Sequence, residues 1–307
     1  MANKIRISVL SGSRTLKSGE TAEKSFEIMK NYWRDRFEAV ASDKPDFIVL
    51  PEACDRFLDM SESLKEDYAW YRENESPKFF NGLAKKFNSA VVYNTKNNNR
   101  NTTFACTKSG EIAGKYIKAF PMTTEMEQGI VPGNGAKVFE FEGIERAGFA
   151  TCFDLNFEEL REEYVKLKPD VIFFSSMYHG GLVQKTWAYS TRSYFVSSIC
   201  DRECGITAPN GRLIAATTCY TDFCTSEINL DYELIHLDFH REKLAAMKSK
   251  YGHGVIIDDI GYLGSVLVSC EMQDKTMDDM VAEFEFTRLD DYLNNARSVR
   301  KKHLISN

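Results

Sequence analysis

Gly148-Phe149-Ala150-Thr151-Cys152-Phe153-Asp154 is the stretch on which the reading of this chain turns. An apolar run ends in a cysteine, and Asn156-Phe157-Glu158-Glu159-Leu160-Arg161 just beyond reads as a helix start. A thiol at a strand-to-helix junction sits near free N–H groups and the positive end of a helix dipole, which favour a thiolate. Two more apolar runs end in a charge. Phe47-Ile48-Val49-Leu50-Pro51-Glu52 places a carboxylate, and Tyr116-Ile117-Lys118-Ala119-Phe120-Pro121 an ammonium.

Working outward, β-rich runs recur at Ile5–Leu10, Phe47–Leu50, Ala90–Tyr93, Thr102–Cys106, Lys115–Ala119, Val138–Phe141, Arg146–Thr151 and Val171–Phe174. Helical spacing lies between several of them. Phe26, Met29, Trp33 and Phe37 form one stripe, and Phe79, Phe80, Leu83 and Phe87 another. Helices are also expected over Glu158–Lys166, Leu182–Phe195 and Leu289–Lys302, the last ending in a basic tail. Asp154 is expected to cap the helix after Phe157. Thr102 to Phe141 reads as strands and loops without a helix, so the α/β fold carries some antiparallel pairing. Pro209-Asn210-Gly211 marks a hairpin, and Val266–Ser269 and Val281–Phe286 read as late strands. No repeat or linker divides the chain.

Net charge is −6, which speaks against nucleic-acid and anionic-membrane partners. The N-terminus enters a strand at once and no run has the length of a membrane span, so a cytoplasmic protein is expected. Eight cysteines in such a chain are expected to be reduced thiols. Cys200/Cys204 and Cys219/Cys224 miss the usual two-residue zinc spacing, though a broader range admits them.

Carboxylate, ammonium and thiol, in the order Glu–Lys–Cys and each at a strand end, resemble the nitrilase, or carbon–nitrogen hydrolase, superfamily. The resemblance runs from about Ile5 to about Arg297. It implies a four-layer αββα sandwich, here one domain over residues 1–307 with a helical tail from about Leu289. It also implies a cysteine-dependent amidohydrolase that cleaves a non-peptide C–N bond of a small linear amide, uses no cofactor or metal, and forms a homodimer or higher homo-oligomer. Residue by residue, Cys152 becomes the nucleophile, Glu52 the general base, and Lys118 the oxyanion stabiliser together with the Phe153 backbone N–H. Glu125 is the preferred second carboxylate, with Glu127 the alternative. Pro132-Gly133-Asn134-Gly135 matches the turn that closes this loop. Met177, Tyr178 and His179 are expected in the substrate pocket.

The chemistry needs each group. A thiolate forms a thioester that water can open, and a carboxylate beside it takes the proton. An ammonium at ~4 Å stabilises an anion by about 4 kcal/mol at an effective dielectric of about 20. Phe153-Asp154 after the cysteine is closer to the Tyr-Asp of amide-cleaving relatives than to the Trp-Glu of nitrile-cleaving ones. The basic motif of N-carbamoyl hydrolases is absent, which disfavours a ureido substrate. The rival readings are a ureido hydrolase with the same triad, an inert binding protein, a Cys152–His179 pair, and a zinc protein using the four late cysteines.

Overall fold

The computed structural model describes residues 2–201 and 203–305. They fall into two compact units. The larger unit, Arg6 to Ser226, carries two six-stranded sheets. Its elements in order are β1 (Lys4–Leu10), α1 (Ala22–Ala41), β2 (Phe47–Val49), α2 (Glu62–Asn74), α3 (Ser76–Phe87), β3 (Ala90–Asn97), β4 (Arg100–Cys106), β5 (Ile112–Ile117), α4 (Thr123–Glu127), β6 (Val138–Phe141) and β7 (Ile144–Thr151). There follow α5 (Glu158–Leu167), β8 (Val171–Ser176), α6 (Gly181–Thr191), β9 (Tyr194–Ile199), β10 (Gly205–Thr207), β11 (Leu213–Ala216) and β12 (Phe223–Asn229). The first sheet has the order β12-β1-β2-β3-β4-β5 and the second β11-β10-β9-β8-β7-β6.

The layers follow from which side chains each strand offers. Phe47 of β2 meets Phe141 of β6 and Phe173 of β8 at ring-centroid distances of 5.3 and 5.8 Å, so the two sheets face each other. Ile48 and Leu50 turn the other way, into a core with Phe26, Met29, Trp33 and Phe37 of α1, Tyr68 of α2 and Phe80 of α3. On the far side, Trp187 of α6 packs on Tyr164 of α5 and on Phe195 of β9. Strands covered on both faces need continuous apolar runs, and β2 and β8 are buried throughout. The result is an αββα sandwich.

Strand direction decides where chemistry collects. β1, β2 and β3 run parallel, as do β7, β8 and β9. β4 is antiparallel to β3, and β5 to β4, so β5 returns to the direction of β3. The carboxyl ends of β2, β5, β7 and β8 and the amino end of β4 therefore share one edge, where open α/β sheets place their sites. A row of hydroxyl bridges joins the two sheets along it. Ser198 Oγ donates to the Leu10 carbonyl (2.5 Å), Ser11 Oγ to Ile199 (2.8 Å) and Ser175 Oγ to Leu50 (2.8 Å). The Thr103 and Thr151 hydroxyls meet at 3.1 Å.

Several expectations need correction. The helix expected over Leu182–Phe195 stops at Thr191, because Arg192 takes φ 61° and Tyr194 opens β9. Thr102–Phe141 does contain a helix, the single turn α4. The Pro209-Asn210-Gly211 hairpin forms as read, between antiparallel β10 and β11. Asp154 is not the cap of α5; that helix starts after Phe157 without a side-chain cap.

The smaller unit comprises the residues up to Ile5 and those from Glu227 onward. It holds β13 (Tyr232–His236), α7 (Arg241–Tyr251), β14 (Val255–Asp258), β15 (Ser265–Cys270), α8 (Met277–Phe284) and α9 (Leu289–Ile305). Its sheet has the order β13-β15-β14, over a core that includes Ile235, Met247, Val268 and Met280. Val281–Phe286 is not a strand. The Thr276 hydroxyl accepts from Asp279 N–H and the Asp279 carboxylate accepts from Thr276 N–H, a capping box that starts α8. Among the described residues no helix is long and apolar enough to cross a membrane.

Candidate active site

Glu52, Lys118 and Cys152 converge at the shared edge. Glu52 and Lys118 are almost fully buried, at 4% and 1% exposure, while Cys152 is partly open. Lys118 Nζ donates to Glu52 Oε1 at 3.0 Å and to Glu125 Oε2 at 2.9 Å. Of the two carboxylates that follow the lysine, Glu125 takes the contact and Glu127 is exposed. Glu125 also accepts from its own loop, through Met122 N–H (2.8 Å).

Burial works against the charge on Lys118, yet the carboxylates of Glu52 and Glu125 hold its pKa above the usual 10.5. Burial likewise raises Glu125, but the Lys118 hydrogen bond prevails and its carboxyl lies below its usual value. The pair is therefore charged at neutral pH.

Cys152 behaves differently from the expected thiolate. Burial, then the charge of Glu52, push its thiol from 9.0 up to about 12; Lys118 and the Ser176 hydroxyl oppose this and do not win. The element that begins at Cys152 is only the short 3₁₀ turn Cys152–Asn156, too brief for a strong dipole. The resting site thus holds a protonated thiol under the charge of Glu52.

Two backbone positions are unusual. Cys152 has φ 50° and Ala53, next to Glu52, has φ 48°, both in the region non-glycine residues avoid. Ala53 N–H is held by Asn94 Oδ1 at 2.8 Å. Asn94 Nδ2 donates to Asn101 Oδ1 (2.8 Å), and Asn101 Nδ2 donates to Glu52 Oε1 (2.9 Å) and, more loosely, to Glu125 Oε1 (3.4 Å). Sequence reading missed both asparagines.

The expected pocket residues separate. Met177 N–H donates to Glu52 Oε2 at 3.2 Å, so Met177 belongs to the site. Its carbonyl accepts from the Arg14 guanidinium. Tyr178 is 42% exposed, and its backbone pairs with the Ser176 hydroxyl. His179 is spent elsewhere: its Nδ1 accepts from Gly181 N–H (2.9 Å), and it lines a separate cavity of about 330 Å³ with Leu182, Gln184 and Cys204. The Cys152–His179 pairing has no such contact behind it. A polar cavity of about 390 Å³ at Ser11, Tyr32, Arg36 and Asp222 is likewise not lined by the triad. Of the late cysteines, Cys200 and Cys204 are buried and Cys219 is exposed. No group of metal-binding side chains gathers among the described residues.

The loop after α4 is pinned from below. Gly133 N–H donates to the Lys118 carbonyl at 2.9 Å, and a Cβ at Gly133 would lie 2.2 Å from the Ile117 carbonyl oxygen. Gly133→Ala is expected to destabilise the fold by about 1–3 kcal/mol, the usual range for overpacking. It should also lower the rate of Cys152 alkylation by shifting Lys118. An unchanged melting temperature, measured by thermal shift, would show that the turn yields freely.

Solved structures share this architecture. The chain superposes on an amidase from Nesterenkonia with TM-score 0.62, 13% identity and coverage of 79% of this chain and 95% of that one. It superposes on a carbon–nitrogen hydrolase from Helicobacter pylori with TM-score 0.60 and 15% identity, covering 74% and 90%. For the C. elegans NitFhit protein the figures are 0.63 and 14%, covering 92% and 98%. A search of curated protein sequences returns no significant match. The pattern described as carbon–nitrogen hydrolase matches residues 20–232, well over half of the chain, and the chain belongs to that family.

Proposed function

We propose that this chain is a cysteine-dependent amidohydrolase that cleaves the C–N bond of a small linear carboxamide. The observation that carries this reading is the buried junction of Lys118 with Glu52 at 3.0 Å and Glu125 at 2.9 Å, with the Cys152 thiol inside the field of the same Glu52 and Lys118. Membership of the carbon–nitrogen hydrolase family supports it. So does the Nesterenkonia amidase, a glutamate-to-glutamine mutant of which shows the result of Michael addition of acrylamide at the active-site cysteine.

The steps follow from the charges. Cys152 Sγ attacks the amide carbon while Glu52 takes the thiol proton. Lys118 and the Phe153 backbone N–H stabilise the oxyanion. Glu52 then gives its proton to the leaving nitrogen, and ammonia or an amine departs from the thioester. A water molecule, deprotonated by Glu52, attacks the thioester and releases the acid. Sulfur recovers the proton, so one amide and one water give one acid and one amine. Glu125 keeps Lys118 charged and aimed throughout.

A thiol near 12 makes this testable by pH. A free-thiolate nucleophile would gain about tenfold in rate for each pH unit below that value. Proton transfer to Glu52 within the attack step removes this dependence. kcat/KM is expected to stay flat between about pH 7 and 9; a log-linear rise of unit slope would reject Glu52 as the base. Ammonia release from a panel of carboxamides and ureido acids tests the substrate class. Carbon dioxide appearing with ammonia would select the ureido hydrolase, and no turnover of any amide with Cys152 unlabelled by acrylamide would select the inert binding protein. A homodimer is proposed as the working form, to be checked by sedimentation.

A further inference from the structure

We propose that Asp154 is a positioning residue whose carboxylate ties the turn carrying Cys152 to the strand end carrying Lys118. The proposal rests on the hydrolase reading above for its functional sense. Asp154 is fully buried. Its Oδ2 accepts from Thr151 N–H at 2.9 Å, immediately before the nucleophile. The same oxygen accepts from Tyr116 OH at 2.7 Å, and Oδ1 accepts from Phe120 N–H at 2.7 Å. Tyr116 OH accepts in turn from Ala119 N–H at 3.3 Å. One carboxylate thus grips the peptide groups on either side of the reaction centre, from β7 in one sheet and from the end of β5 in the other.

Turn capping alone does not explain this. A cap needs only the bond to Thr151 N–H; the bonds to Phe120 and Tyr116 cross to the opposite sheet and cap nothing. Nor does stability explain it well. Burial pushes the Asp154 carboxyl up to about 6, against the pull of Tyr116 and the two N–H groups, so at neutral pH the fold keeps a charge where it is disfavoured. What the carboxylate secures is the distance between Lys118 and Cys152. Misplacing a reacting group by about 1 Å lowers rates by about 100-fold.

Asp154→Asn keeps the shape but sets an amide NH₂ against donors, and Tyr116→Phe removes a single bond. In the full-length protein, Asp154→Asn is expected to lower kcat by roughly 100-fold with KM within about threefold. The second-order rate of Cys152 alkylation by acrylamide, followed by mass spectrometry, should fall by about tenfold or more, and Tyr116→Phe should shift both readouts by roughly three- to tenfold. Folded Asp154→Asn with kcat and alkylation rate both within about twofold of the parent would overturn the proposal. Should Asp154→Asn fail to fold, Tyr116→Phe decides in the same way. Absence of amide turnover in the parent would count against the hydrolase reading alone, because the alkylation comparison still tests the tie.

Discussion

Cys152→Ala is expected to abolish amide turnover, with kcat lower by roughly 10⁴–10⁶, the scale seen when a nucleophile is removed. Its melting temperature should barely move. Cys152 is partly exposed, and its φ of 50° is no worse for alanine than for cysteine. Neither Glu52 nor Lys118 loses its own partners, because their mutual 3.0 Å contact does not pass through sulfur. Ammonia release and a thermal melt on the same preparation check both halves. Residual activity within about tenfold of the parent would dismiss Cys152 as the nucleophile.

Lys118→Ala is expected to be the more damaging change, since it removes activity and stability together. Loss of an oxyanion donor lowers kcat by roughly 10²–10³. The same substitution leaves the Glu52 and Glu125 carboxylates facing each other without their shared cation. Breaking a buried ion pair from one side destabilises by about 3–5 kcal/mol, which for a chain of this size lowers the melting temperature by about 5–10 °C. Adding Glu125→Gln to Lys118→Ala should return part of that stability, because one of the stranded charges is gone, while activity stays lost. A double variant no more stable than Lys118→Ala, or a single variant affected mainly in KM, would contradict the bridging role.

The triad was legible because each member ends an apolar run, and strands of one direction end at one edge. It was the resemblance in the order Glu–Lys–Cys that picked Glu52, Lys118 and Cys152 out of the chain's other acids, cations and thiols. Glu125 over Glu127 was settled only by the turn of α4, which aims one side chain at Lys118 and the other at solvent. Asn94 and Asn101 were invisible for a different reason. They lie on a hairpin that brings the start of β4 back to the ends of the parallel strands, and a polar residue on an alternating strand reads as a solvent-facing position. Asp154 was assigned the local job its neighbours suggested, and its cross-sheet partners are far away in sequence. Short apolar runs misled as well: Val281–Phe286 has strand-like content, yet Val281–Phe284 completes α8, whose capping pair lies just ahead of it. The thiolate expectation failed because burial disfavours a charged sulfur, and the neighbouring Glu52 carboxylate adds its repulsion of a second negative charge.

The hydroxyl bridges along the shared edge have a consequence for how this molecule reaches its native state. Ser198, Ser11, Ser175 and Thr103 find their partners only when the two sheets dock in a single alignment. A slip by one residue would orphan them together, at about 1–3 kcal/mol for each buried group left unmatched. Misaligned collapse is thereby penalised cooperatively, and the edge acts as a proofreading step in folding: acid, cation and sulfur meet only in chains whose halves have already closed correctly.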